Sequence, residues 1–204
     1  LDCDQATLTK FISLVHAAGK KVKIAVGGAS YPSSGFLTST AAAAGMAQAI
    51  ANYVIQDGLD GIDLDIEDHP ATNLQISLIQ NLRSLLPNTS ISYTPGTPAM
   101  AIQAFAAVIK GAHQYLDTIS FMAYDYGSGY TYQQDVEAML AAAIPSGKIV
   151  IGLMPGKDDM GRLTSLANIT SAAQYAVTNK LGGLMFWDLN RDHENLTGLG
   201  SDAA

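Results

Sequence analysis

Apolar and polar positions along this chain alternate in two rhythms. From Thr7 to Ala18 the apolar residues Leu8, Phe11, Ile12, Leu14 and Val15 fall at helical spacing, and Gly19 follows as a C-cap. Val22-Lys23-Ile24-Ala25-Val26 then reads as a short buried strand closing on Gly27-Gly28. An alanine-rich helix from about Thr40 to Gln56 leads into a strand around Ile62-Leu64-Ile66. The couple then recurs. Helices are expected over Leu74–Leu86, Ala99–Leu116, Gln133–Ala143 and Ile169–Lys180. Strands are expected over Ser90–Thr94, Thr118–Tyr124, Lys148–Met154 and Leu184–Trp187. Strand starts recur roughly every 30 residues with one helix in each gap, which is the rhythm of parallel βαβ units.

One strand carries unusual chemistry. In Leu59-Asp60-Gly61-Ile62-Asp63-Leu64-Asp65-Ile66-Glu67, acidic side chains alternate with apolar ones. Successive strand side chains point to opposite faces, so Asp63, Asp65 and Glu67 share one face and Ile62, Leu64 and Ile66 the other. Neighbouring carboxylates cannot all ionise cheaply in a low-dielectric interior, so at least one should hold its proton to higher pH. That is a route to a general acid near neutrality. A solvated edge strand would not carry a continuously apolar second face. A calcium loop needs a mid-loop glycine and polar neighbours, whereas Leu64 and Ile66 separate these acids, so no metal is expected.

Two architectures suit the βαβ rhythm: a doubly wound sheet and a β/α barrel. A doubly wound sheet usually announces a nucleotide with G-x-G-x-x-G after a strand, and no strand here is followed by one. In a barrel, function gathers at the C-terminal ends of the strands. Gly27-Gly28, Glu67, Tyr124-Asp125 and Trp187 all fall there, so the expected fold is an α/β (β/α)8 TIM barrel. Six strands are visible where such a barrel has eight, so the first two are expected to be missing from this chain. With 204 residues, 48% hydrophobic and 14% charged, and no linker or low-complexity tract, residues 1–204 are read as a single catalytic domain.

The net charge of −7 argues against nucleic acid or an anionic membrane as partner, and no apolar run reaches the length of a membrane span. Cys3 is the only cysteine, so the chain can form no internal disulfide and no cysteine-based zinc site. Leu1-Asp2-Cys3-Asp4 has neither the basic nor the apolar region of a signal peptide, as a mature chain would not. Sequons at Asn88, Asn168 and Asn195 hint at secretion.

Together, Asp60-x-x-Asp63-x-Asp65-x-Glu67, Met122-x-Tyr124-Asp125 two strands later, and a late strand ending in Trp187 resemble glycoside hydrolase family 18, the chitinases and their relatives. Val26-Gly27-Gly28 resembles the end of the family's S-x-G-G motif, and the likeness runs from about Lys21 to Asn190. The resemblance implies a retaining, cofactor-independent hydrolase in which the substrate's 2-acetamido group is the nucleophile. Glu67 would be the general acid and then the base. Asp65 would orient the acetamido group, and Asp63 would share a proton with Asp65. Tyr124 would donate to the acetamido oxygen, and Asp125 would contact the sugar. Trp187 would lie beneath the sugar, whose C–H face suits a flat aromatic ring. Met122 and Gly28 complete the expected substrate-binding set.

Two departures stand out. Ala25 replaces the family's serine, removing a hydroxyl that would hold Asp63 inward, and the stretch from Met154 to Leu184 is too short for the extra α+β insertion of some members. An open groove and endo action follow. The expected partner is chitin or N-acetylglucosamine oligosaccharides, the expected state a secreted extracellular monomer. The alternatives are an endo-β-N-acetylglucosaminidase of N-glycan core chitobiose and a non-catalytic lectin or inhibitor. Tyr31, Tyr126, Tyr130 and Tyr132 follow strand ends and are candidates for lining the groove. His16 and His113 read as structural or solvated, and Asp60 as a turn residue.

Overall fold

In the computed structural model, which describes residues 4–193, helices and strands alternate as the pattern requires. The order begins α1 (Gln5–Ala17), β1 (Lys23–Gly27), α2 (Thr40–Asp57), β2 (Gly61–Ile66), α3 (Thr72–Leu85) and β3 (Ser90–Pro95). It continues with α4 (Gln103–Ala112), β4 (Thr118–Met122), α5 (Tyr132–Ala141) and β5 (Ile149–Leu153). A hairpin of β6 (Gly156–Lys157) and β7 (Leu163–Thr164), then α6 (Leu166–Thr178), β8 (Gly183–Phe186) and α7 (Leu189–His193) complete it. The six long strands follow one another in the sheet as β1-β2-β3-β4-β5-β8, each beside its predecessor in the chain. The pairs β1/β2, β4/β5 and β5/β8 are parallel. Asn195, the third sequon, and Cys3 lie outside the described residues.

The chain divides into two compact units, one running to Ser92 and taking in Gln114–Asp117, the other comprising Tyr93–His113 and the chain from Thr118 on. In the first unit the apolar face of β2 is closed, with Ile62, Leu64 and Ile66 buried. Ala43, Ala47, Ile50, Ala51 and Val54 of α2 and Leu74, Leu78, Ile79 and Leu82 of α3 are buried too, and the two helices pack together. The alanines of α2 let its axis come close. Ser39 caps α2 by accepting from the Ala42 N–H, and Gly58 ends it in the left-handed region at φ 66°.

Polar groups at the N-terminal ends of the strands are used as structural ties. Asp60 Oδ2 accepts from the Val22 N–H and pairs with His16 Nε2, each at 2.7 Å. The Val22 amide and His16 hold the Asp60 carboxyl below the usual range. Arg83 donates to Asp117 Oδ2 at 2.6 Å and to the carbonyls of Tyr115, Leu86, Pro87 and Thr89, while Asp117 also accepts from the Ile91 N–H. A Cβ at Gly61 would lie 2.4 Å from the Ser90 carbonyl oxygen, so only glycine lets β3 run that close.

In the second unit all five residues of β5 are buried, as are Phe105, Val108 and Ile109 of α4 and Val136 and Met139 of α5. Helix α5 opens on a Thr131–Gln134 capping box and α6 on a Ser165–Asn168 one. The second sequon residue, Asn168, is therefore spent on a helix cap, whereas Asn88 sits exposed in the turn between α3 and β3. The helix expected over Ala99–Leu116 is shorter: α4 begins at Gln103, and His113–Tyr115 tightens into a 3-10 turn. The Ala99 and Met100 amides are instead taken by Asp135, at 3.1 and 2.7 Å.

Candidate active site

The alternation read from sequence sets the acids of β2 as expected: Ile62, Leu64 and Ile66 are buried, while Asp63, Asp65 and Glu67 are half-buried on the other face. Glu67 lies one residue past the strand, at its C-terminal end. Parallel register sets Ala25 beside Asp63 and Gly27 beside Asp65. Gly27, at φ 112°, has no room for a side chain, because a Cβ would lie 2.0 Å from the Asp65 carbonyl oxygen. The Gly28 N–H donates to that same oxygen at 2.8 Å, and a Cβ on Gly28 would meet Asp65 Oδ2 at 3.5 Å. The paired glycines thus bring the backbone of β1 against the central carboxylate.

Burial, then the charges of Glu67 and Asp63, push the Asp65 carboxyl up to about 7. Its Oδ1 is buried and has no hydrogen-bond partner among the described residues. This is the raised carboxyl that the acidic row required, and it falls on the central member. Such a group exchanges a proton near neutral pH and has an oxygen ready for a ligand.

Asp63 is held by a hydroxyl after all. The one lost at Ala25 is supplied from β3, where Ser92 Oγ donates to Asp63 Oδ1 and also lies 3.3 Å from the Ile62 carbonyl oxygen. Lys23 Nζ donates to Ser92 Oγ at 3.1 Å. Neither Lys23 nor Ser92 stands out in the sequence; both become visible once β1, β2 and β3 are aligned. Asp68 was missed as well. Its carboxylate accepts from the Ser33 and Ser34 N–H groups at 3.0 and 2.7 Å, tying the loop after β1 to the residue beside Glu67. A polar cavity lined by Lys21, Asp60, Arg83, Asn88 and Asp117 opens at the other end of β2, away from the acids.

The remaining expected residues belong to the second unit. Met122 and Tyr124 are buried in one cluster with Met154, against which Met185 packs. Met122 therefore supports Tyr124 from within an apolar layer. Asp125, at φ 54°, donates its N–H to Asp158 Oδ2 at 3.1 Å and accepts from the Asp159 N–H at 2.7 Å, so the residue after Tyr124 is tied to the β6–β7 turn. Desolvation raises the Asp125 carboxyl above the usual range, against the Asp159 hydrogen bond. Trp187 follows β8, donates its N–H to the Leu153 carbonyl at 2.9 Å and is 50% exposed, so its ring is no core residue.

The loop tyrosines divide. Tyr126 stacks under the Arg162 guanidinium, 4.0 Å from ring centroid, and meets Tyr130 edge-on at 3.9 Å. The Tyr130 hydroxyl donates to Asp135, and burial followed by that carboxylate raises its pKa. Tyr132 lies on α5 and pairs with Tyr175 of α6 at 5.4 Å. These three build the loop, while Tyr31 of the first unit is exposed.

A sequence profile described as Glycosyl hydrolases family 18 matches residues 3–161. No curated protein sequence matches the chain. Among solved structures, a family GH18 chitinase from Pseudoalteromonas aurantia is 24% identical at a TM-score of 0.77, over 91% of this chain and 75% of that one. Active domain 2 of a Pyrococcus furiosus chitinase, solved as catalytic-site mutants, is 19% identical at 0.76, over 91% and 68%. A mutant GH18 chitinase from Cycas revoluta in complex with (GlcNAc)4 is 15% identical at 0.79, over 97% and 84%. At these identities the structures show the fold, and six parallel strands with intervening helices are of the family's β/α-barrel class. With the profile covering most of its length, the chain belongs to glycosyl hydrolase family 18.

Proposed function

We propose that the protein is a chitinase that cleaves β-1,4-linked N-acetylglucosamine with retention of configuration. The observation that carries this reading is the carboxylate row of β2, with Asp65 pushed up to about 7 and its Oδ1 without a hydrogen-bond partner among the described residues. Glu67, at the open end of the row, transfers its proton to the glycosidic oxygen as the C1–O bond breaks. The oxygen of the 2-acetamido carbonyl closes on C1 and takes the place of the leaving sugar. Protonated Asp65 accepts or donates at the acetamido group as the charge on that group develops, and Asp63 sits behind it as proton partner. Water then attacks C1, giving its proton to the Glu67 carboxylate, and the acetamido oxygen leaves. By the family pattern Tyr124 donates to the acetamido oxygen, Asp125 contacts the sugar and Trp187 supports its apolar face.

The similar structures include a Cycas revoluta chitinase with (GlcNAc)4 and a Pyrococcus furiosus chitinase with chito-oligosaccharides, which supports the substrate class. Between β5 and β8 the chain holds the short hairpin and α6 and no larger insertion, which supports an open groove and endo action. An insoluble polymer as substrate suits an extracellular enzyme, and we read it as a monomer. Incubation with N-acetylglucosamine oligomers and, separately, a high-mannose glycopeptide tests the assignment. Cleavage of the oligomers is expected, and Glu67→Gln should lower kcat about a thousandfold while oligomer binding persists. Unchanged turnover in that variant would remove Glu67 from the role. Cleavage of the glycopeptide alone would move the enzyme to N-glycans, and binding without cleavage would make it a lectin.

A further inference from the structure

Lys23 is a cation on the same face of the sheet as the acids, since Lys23, Ala25 and Gly27 of β1 run beside Gly61, Asp63 and Asp65 of β2. Part of its surface stays open, yet its ammonium is desolvated enough to fall below the usual lysine range, with Asp63 and Asp117 opposing that fall. Its Nζ donates to Ser92 Oγ at 3.1 Å, and Ser92 Oγ meets Asp63 Oδ1. Donor and acceptor roles in this chain are not free. An ammonium has only donors, so Ser92 must receive from Lys23. The single hydroxyl proton of Ser92 is then turned outward, and the carboxylate oxygen is a stronger acceptor than the Ile62 carbonyl at 3.3 Å.

We propose that Lys23, acting through Ser92, is a positioning residue that keeps Asp63 Oδ1 an acceptor and so steers the proton of the carboxylate row onto Asp65. The inference rests on the chitinase reading for its catalytic meaning, but its geometry stands in the free protein. The charged groups bearing on it within this unit are Asp63, Asp65 and Glu67 along β2, Lys21 before β1 and Asp117 before β4. Lys23 itself is joined to the row through the Ser92 hydroxyl. Removing it frees Ser92 to turn to the Ile62 carbonyl and withdraws the Ser92 donor from Asp63 Oδ1. The same loss follows from deleting the Ser92 hydroxyl.

Carbon-13 NMR of aspartate carboxyl groups in the whole protein, with Asp65→Asn used for assignment, reads the distribution directly. In the parent, the protonation step near pH 7 should appear on Asp65 with little amplitude on Asp63. In Lys23→Met and in Ser92→Ala at least about a quarter of that amplitude should move to Asp63, because coupled sites share a macroscopic step. Lys23→Arg and Ser92→Thr, which keep the donor and the hydroxyl, should restore the parental distribution. A step confined to Asp65 in both deletion variants, or already shared in the parent, overturns the proposal. Kinetics form the second arm: with oligomer substrate, kcat of the two deletion variants should fall roughly tenfold at constant KM. If the parent cleaves no oligomer, the chitinase reading fails while the carboxyl titration still decides the role of Lys23.

Discussion

Asp135 and Asp65 are aspartates withdrawn from water, one fully and one in part, one in each compact unit, and they are served in opposite ways. Asp135 is 2% exposed and accepts from the Ala99 N–H, the Met100 N–H and the Tyr130 hydroxyl. Asp65 has a buried oxygen with no partner among the described residues, and it stands between two more carboxylates, Asp63 before it and Glu67 after it. A carboxylate that fastens a loop has its lone pairs filled by backbone donors. One left short while its neighbours repel its charge costs stability and is retained for what it does to a ligand. The contrast supports the proposed chemistry in β2 and sets a structural role for Asp135 in α5 beside it.

The largest effect on stability should come from breaking the first member of the pair. Asp135→Ala strips the partner from two backbone N–H groups and a half-buried phenol, and about 3 kcal/mol of unfolding free energy should go with it. Urea denaturation measures this, and a loss under about 1 kcal/mol would mean that water can replace the carboxylate and that Asp135 is not the structural counterpart of Asp65.

Asp65→Asn should act the other way. The folded carboxyl sits near 7 against 3.8 when free, so it contributes stability below pH 3.8 that is lost as pH rises through 7. Above that pH the parent bears an ionised, poorly solvated group that the variant lacks. With part of the side chain open to water, the variant should gain about 1 kcal/mol at pH 8, and the gain should shrink steadily toward pH 4. Urea curves at the two pH values test the sign. Turnover should fall about a hundredfold in the same variant, the cost in function of that gain. A variant less stable than the parent at pH 8 would class Asp65 with Asp135.

How much of this was legible beforehand follows from the range of each signal. The acidic row is a period-two pattern in one strand, so Asp63, Asp65 and Glu67 were readable together with their buried partners Ile62, Leu64 and Ile66. Strands and helices of the βαβ rhythm were readable for the same reason. Lys23 and Ser92 were not, because their meaning depends on register among three strands that sequence alone does not supply. The missing serine at position 25 was legible, but its substitute on β3 was not. The hairpin β6–β7 has two-residue strands, too short for any periodicity, and the late start of α4 is set by Asp135, more than thirty residues away in sequence. At a strand end a tryptophan is as readily core as ligand surface, and the exposure of Trp187 separates the two.

The smallest effect, and the finest test of the contrast, concerns Asp68. It adjoins Glu67 yet behaves as Asp135 does: burial would raise its pKa, but donors from Ser33 and Ser34 outweigh burial and lower it. Its contribution is therefore present above the unfolded value of 3.8 and lost as pH falls below it. Asp68→Asn keeps the shape and one acceptor oxygen but turns an NH2 toward a backbone N–H that needs an acceptor. The loss should be about 1 kcal/mol and local, seen as roughly fivefold faster hydrogen exchange at the Ser33 and Ser34 amides with the global unfolding midpoint nearly unchanged. Proximity to the acid would then be shown not to make a carboxylate catalytic. An equal rise in exchange across β2 would show instead that the loop and the acidic row open as one piece, and that Asp68 holds the site as well as the loop.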